Sequence, residues 1–142
     1  MVNVKSSAVH FQVERKDEGD GYEGETKSDI RKIKFLQEVL NAGGGFDWEN
    51  QLFRAPYTGV YSFSISGTKN PHTSTDAADI FVKLNNETIG ESLSSAFTAY
   101  GGFSCSMVRK LKTNDTIELE MYNGRTYRLF FSGTMLEQDL NV

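Results

Sequence analysis

The 142-residue chain holds a single cysteine, Cys105, two prolines, Pro56 and Pro71, and two histidines, His10 and His72. One cysteine cannot close an internal disulfide, so a cystine-stapled scaffold and a cysteine-ligated zinc site are both excluded. Cys105 reads instead as a small buried hydrophobe. Two prolines without a Gly-X-Y period exclude a collagen segment from this chain. No apolar run approaches the ~20 residues of a membrane-spanning helix. Fifteen basic residues against nineteen acidic ones give a net charge of −4. The bases are scattered, so neither nucleic acid nor insertion into a membrane is expected. The opening residues, MVNVKSSAVHF, lack the apolar stretch of a secretory leader.

Aromatics are plentiful: 10 Phe, 6 Tyr and 1 Trp, beside 13 Gly. At this length one domain over residues 1–142 is the expectation, with residues 1–7 as an N-terminal extension. The dominant hydrophobic period is two. Val9, Phe11 and Val13 alternate with His10, Gln12 and Glu14; Tyr61, Phe63 and Ile65 alternate with Ser62, Ser64 and Ser66; Ile117, Leu119 and Met121 alternate with Glu118 and Glu120. Such alternation marks half-buried strands. Ile80, Val82 and Leu84 add another, followed by the turn signal Asn85-Asn86. Leu129 to Leu136 is apolar on both faces, as a central strand or a subunit contact would be.

Residues 16–29 form an acidic, Gly-rich stretch in which Asp17, Glu18 and Asp20 resemble the start of a calcium loop. The spacing fails beyond that start, and the segment reads as a solvated loop. Ser28 to Asn41 conflicts with the rest. Ile33, Leu36, Val39 and Leu40 fall on one helical stripe, with Ser28 or Asp29 as a cap and Gly43 as a stop, so period alone predicts a helix.

An ordered set of motifs points the other way. Ile33 and Phe35, Val39 to Asn41, Gly44 with Phe46-Asp47, Phe53 with Ala55-Pro56, and Gly59 to Phe63 follow one another at characteristic spacing. Ala8 to Arg15 precedes them; Val82 to Asn85, Leu111 to Leu119, and Phe131-Ser132-Gly133 with Leu136 follow. This series resembles the C1q globular domain over nearly the whole chain. The resemblance implies an all-β fold, a ten-strand jelly-roll sandwich of the C1q and tumour-necrosis-factor type, expected as a homotrimer. It also implies strand rather than helix at Ile33 to Phe35. Asn114 stands where the family usually has Gly before Asp115, a substitution the turn should survive because Asn tolerates the left-handed conformation. The family's calcium-binding members carry clustered acids in the stretch that here is Glu91 to Phe103, whose one carboxylate is Glu91, so no metal and no cofactor are expected. The missing stalk suggests a head-only member or an excised head.

Catalysis lacks an inventory. No nucleophile elbow, phosphate-binding loop or His-Glu-x-x-His motif occurs, and Gly43 to Gly45 reads as a tight turn. His72 with Asp76 and Asp79 offers metal-compatible side chains, but mixed polar residues make a surface loop the expectation. The protein is therefore expected to bind rather than catalyse. Phe97 and Tyr100 among small hydroxylated residues, with His72 and Asp76, are the candidate ligand contacts, since a ring can stack on a sugar or peptide while hydroxyls supply hydrogen bonds. Tyr61, Phe63, Phe130 and Phe131 are candidate trimer contacts, each alternatively a core residue. The expected role is a trimeric, secreted recognition domain that binds carbohydrate or protein multivalently, as in innate immunity; the alternative is an oligomerisation or adaptor head of a larger, intracellular protein. Two glycosylation sequons, Asn86-Glu87-Thr88 and Asn114-Asp115-Thr116, fit an extracellular chain.

Overall fold

The structure, a computed structural model, describes residues 8–16, 30–69, 79–93, 102–122 and 126–140. It contains eleven strands and no helix among the described residues: β1 (His10–Lys16), β2 (Ile30–Lys32), β3 (Gln37–Ala42), β4 (Phe46–Asp47), β5 (Leu52–Arg54), β6 (Gly59–Lys69), β7 (Asp79–Leu84), β8 (Glu87–Leu93), β9 (Gly102–Leu111), β10 (Thr116–Tyr122) and β11 (Thr126–Gln138). The expected ten strands become eleven through short pieces such as the three-residue β2.

Two antiparallel sheets pack face to face. One has the order β3-β1-β11-β6-β9; the other has the order β4-β5-β10-β7-β8, with β2 also paired to β10. Strand alternation explains the stacking: the inward residues of β1, β6, β10 and β11 form one continuous apolar core, including Val13, Tyr61, Ile65, Ile117, Leu119, Leu129 and Phe131. Rings dominate its centre. Phe11 stacks on Phe53 at 5.0 Å and meets Phe131 edge-on at 4.9 Å, while Phe53 meets Tyr61 and Phe63 at 5.5 and 5.4 Å. Gly133 is what lets two of these rings meet, because a Cβ there would stand 2.4 Å from Phe11 Cε1 and 2.8 Å from Phe63 Cδ1.

The helical stripe of residues 28–41 is overruled by pairing, as far as the described residues show. β2 belongs to one sheet and β3 to the other, so Ile33 to Phe35 carry the chain across the edge of the sandwich. Three amides on the way find partners distant in sequence: Ile33 N–H donates to the Leu119 carbonyl at 2.9 Å, Phe35 N–H to Gln51 Oε1 at 2.6 Å, and Leu36 N–H to the Glu14 carbonyl at 2.9 Å. Ile33 and Phe35 are buried, whereas Leu36, Val39 and Leu40 are exposed. Two buried side chains and three tertiary hydrogen bonds outweigh a helical preference worth a few tenths of a kcal/mol per residue.

Turn chemistry follows the asparagines. Leu84 pairs with Glu87, which leaves Asn85 and Asn86 as a two-residue hairpin turn with φ of 48° and 71°. Both values lie in the left-handed region that primed turns require and Asn tolerates. Asn114, at φ 75°, holds the β9–β10 turn as expected.

Strand direction sorts the connections into two poles. β9 and β11 finish, and β6 begins, at the pole where Ala8, Asn85, Asn114 and Asp139 lie. At the opposite pole lie Lys16, Ile30, Lys69, Asp79, Leu93, Gly102, Tyr122 and Thr126, which border residues 17–29, 70–78, 94–101 and 123–125.

Candidate functional site

Phe97, Tyr100, His72 and Asp76 lie outside the described residues. The strands that lead into and out of their segments all end at the second pole, so the topology brings the stems of both candidate segments together. Across these stems the two sheets are tied: Ser92 on β8 is buried and its hydroxyl donates to the Ser104 carbonyl on β9 at 3.0 Å. Gly90 permits the approach, since a Cβ there would stand 2.5 Å from Met107 Cε and 3.3 Å from Cys105 Sγ. Cys105 is half-buried against this cluster.

Asp79, at the start of β7, is the electrostatically unusual group of the pole. In the register Asp79 faces Leu93 and Phe81 faces Glu91, so Asp79 and Glu91 are diagonal neighbours on the outward surface. Asp79 Oδ1 is buried without a hydrogen-bond partner. Burial first, then the hydrogen bond and charge of Glu91, push the Asp79 carboxyl up to about 6. The nearby Lys83 on the same strand is engaged elsewhere, 3.5 Å from Glu120 and 3.0 Å from Thr88 Oγ1. Asp79 is the described member of the sequence trio His72, Asp76 and Asp79. No group of three or more His, Cys, Asp or Glu able to hold a metal occurs among the described residues.

Described cavities are shallow. A cleft of about 140 Å³ at the second pole is lined by Glu14, Arg15, Lys16, Arg128 and Phe130. At the first pole one of about 280 Å³ is bordered by Asp47 and Arg54, 3.7 Å apart, with Asn114 beside them. There the hydrogen bonds from Asn50 hold the Asp47 carboxyl below its usual value. Neither cleft has the enclosed, apolar character of a small-molecule site.

The broad outer faces of the two sheets differ in chemistry. On the face of β10 and β7, charges are paired: Lys32 lies 2.9 Å from Glu118, and Lys83 approaches Glu120. On the other sheet the register sets Ser62 between Thr134 and Val108, Ser64 between Ser132 and Ser106, and Ser66 between Phe130 and Ser104. Directly opposite residues share a face, so this surface is a low relief of hydroxyls. His10 stands on it, its Nδ1 3.4 Å from Thr134 Oγ1. Around the hydroxyls lie four of the exposed large hydrophobics, Val39, Leu40, Val108 and Leu136, each about half or more exposed.

The four aromatic candidates for trimer contact divide between the two sides of this sheet. Tyr61, Phe63 and Phe131 point inward and are 0–3% exposed, so they serve the core of their own chain. The Tyr61 hydroxyl donates to the Tyr57 carbonyl at 2.6 Å, and burial raises its pKa. Phe130 is the one of the four that lies on the outer face. Val108, Leu136 and Leu40 are exposed apolar residues that the sequence analysis did not single out as contacts. The available signal was phase, since Val108 and Leu136 are apolar residues at positions whose strand neighbours, Met107 and Met135, already fill the inward place.

A family model described as the C1q domain matches residues 11–136. Among solved structures, the chain is similar to the globular domain of zebrafish complement 1qA protein, with a TM-score of 0.70 at 14% identity, covering 93% of this chain and 99% of that one. Murine APRIL at pH 8.5 follows with a TM-score of 0.61 at 18% identity, covering 89% and 99%. The PRD1 vertex protein P5 gives a TM-score of 0.68 at 12% identity, covering 94% and 99%. At these identities the structures testify to the fold. A search of curated proteins gave no match.

Proposed function

The chain belongs to the C1q domain family, and from that premise we propose that it is a non-enzymatic, extracellular recognition head that works as a homotrimer. Domains of this family are typically trimeric recognition modules. Three copies of the second pole would then meet one carbohydrate or protein surface together. Individually weak contacts gain effective concentration when three are linked, so a repetitive ligand is favoured over a solitary one.

The observation that carries the assembly reading is the contrast between the two outer faces. A sheet surface with hydroxyls at its centre and Val39, Leu40, Val108 and Leu136 in water gains from being covered, whereas the other face, where Ile30 stands exposed at the β2 edge, is dominated by paired charges and gains less. Burying the apolar ring across three protomers contributes roughly 25 cal/mol per Å² removed from water. Static light scattering tests this: the trimer weighs about 48 kDa against 15.9 kDa for one chain. A monomeric wild-type protein sinks the reading. Val108→Glu with Leu136→Glu should yield a folded monomer that binds a multivalent surface at least tenfold more weakly than wild type. Ligand contact is proposed for Phe97, Tyr100, His72 and Asp76; glycan arrays and microbial cells on which wild type and Phe97→Ala/Tyr100→Ala are retained equally would refute that assignment.

A further inference from the structure

The two sequons are 28 positions apart in sequence, yet folding joins them. Asn85, adjacent to Asn86, donates through Nδ2 to Asp115 Oδ1 at 2.9 Å. Its Oδ1 accepts from the Thr116 backbone N–H at 2.9 Å and from the Thr116 hydroxyl at 3.3 Å, and its own N–H donates to the Thr116 carbonyl at 3.0 Å. One residue therefore clamps the β7–β8 turn, which carries Asn86, to the β9–β10 turn, which carries Asn114. Asn86 and Asn114 are themselves exposed, each in the left-handed conformation at a turn. The clamp uses Asn85, Asp115 and Thr116 and leaves both acceptor side chains on the outside.

We propose that Asn86 and Asn114 are N-glycan acceptors, and that their glycans form a single cap on the pole opposite the strand ends that border the candidate recognition segments. The modification rests on the extracellular reading above. In the transfer, the amide Nδ2 of Asn bonds to the anomeric carbon of an oligosaccharide donor linked to a lipid diphosphate. The carbon–oxygen bond to the diphosphate breaks, the lipid diphosphate leaves, and Nδ2 loses one proton. Placement makes the cap compatible with function. Asn86 lies at the end of β7 and β8 in the charged sheet, and Asn114 lies at the tip of a turn. Neither stands among the hydroxyls and exposed hydrophobics of the assembly face.

The full chain behind a cleavable secretion leader is expressed in cultured animal cells, and the secreted and cell-retained fractions are weighed by intact mass spectrometry before and after an N-glycosidase. The expected result is two occupied sites, one lost in Asn86→Gln, the other in Asn114→Gln, and both in the double variant. Unmodified protein in both fractions overturns the proposal, and occupancy at one site only overturns the shared cap. Light scattering on the same samples reads the assembly separately: an unchanged number of chains per particle after deglycosylation is expected, and a trimer that forms only once the glycans are removed would refute the placement. A glycosylated monomer would refute the trimer and leave the acceptor assignment standing.

Discussion

Replacing Asp79 with Asn should stabilise the protein above about pH 6 and leave it unchanged near pH 4. The Asp79 carboxyl titrates near 6 in the folded chain, against an ordinary value of 3.8. A group that binds its proton more tightly when folded stabilises the fold fully below its unfolded value. That stabilisation is lost as the pH rises through the interval from 3.8 to about 6, and above it two carboxylates must share one patch of surface. The whole difference would correspond to ~3 kcal/mol. Asp79 is half-buried and open to water on one side, so screening reduces the effect to ~1 kcal/mol. Asn keeps the geometry, because its amide can donate to Glu91 where the protonated acid does, while removing the second charge. For a domain of this size ~1 kcal/mol moves the melting midpoint by roughly 3–5 °C. Scanning calorimetry of both proteins at about pH 4 and pH 8 is the assay. A higher midpoint for Asp79→Asn at the upper pH alone is expected, and Glu91→Gln should behave similarly. Equal midpoints at pH 8, or the same gain at both pH values, would show that the pair stores no proton-linked energy.

Other perturbations probe the core and the turns. Gly133→Ala should cost ~1–3 kcal/mol, since its methyl group meets two packed rings; urea denaturation showing wild-type stability would mean that Phe11 and Phe63 part freely. Asn85→Ala should lose ~2 kcal/mol through its hydrogen bonds and its left-handed backbone, with Asn85→Gly recovering only the backbone share, measured by the same denaturation. Tyr61→Phe removes the hydroxyl that donates to the Tyr57 carbonyl and accepts from the Tyr57 amide and should cost ~1–2 kcal/mol, with faster amide exchange confined to the loop at Tyr57. Val108→Glu alone should raise the concentration needed for assembly without lowering protomer stability, as read by sedimentation.

Much of the sandwich was legible because alternation is a local property. Phe11, Tyr61, Phe63, Ile117 and Leu119 declare their inward phase within a few residues, and Asn85-Asn86 and Asn114 announce turns through a conformation few residues accept. The stretch from Ser28 to Asn41 was not legible from period, because its structure is set by partners 16 to 86 positions distant, Gln51 and Leu119 among them. Only the ordered motifs carried that information. For the proposed assembly face, richness in aromatics drew attention to Tyr61, Phe63 and Phe131, yet a ring in a central strand serves the nearest apolar layer, and here that layer is the partner sheet. The telling residues were fewer and smaller: a Val and a Leu at outward positions, with serines between them. The carboxyl pair at Asp79 was invisible for a related reason, since Glu91 reaches it only through the β7–β8 register.

The adjacency of β1 and β11 bears on how the head would respond to force. His10 pairs with Thr134, and the Met135 amide donates to the Val9 carbonyl at 2.9 Å, so the chain enters and leaves the fold side by side at one pole. A pull applied through both ends would peel β1 from β11 like a zipper, loading the ladder's hydrogen bonds one after another rather than together in shear. Tension along a single tether at that pole would instead pass through the whole sandwich and reach the loops without stripping a strand. Stretched between its two ends, the sandwich is thus expected to yield first at the β1–β11 seam.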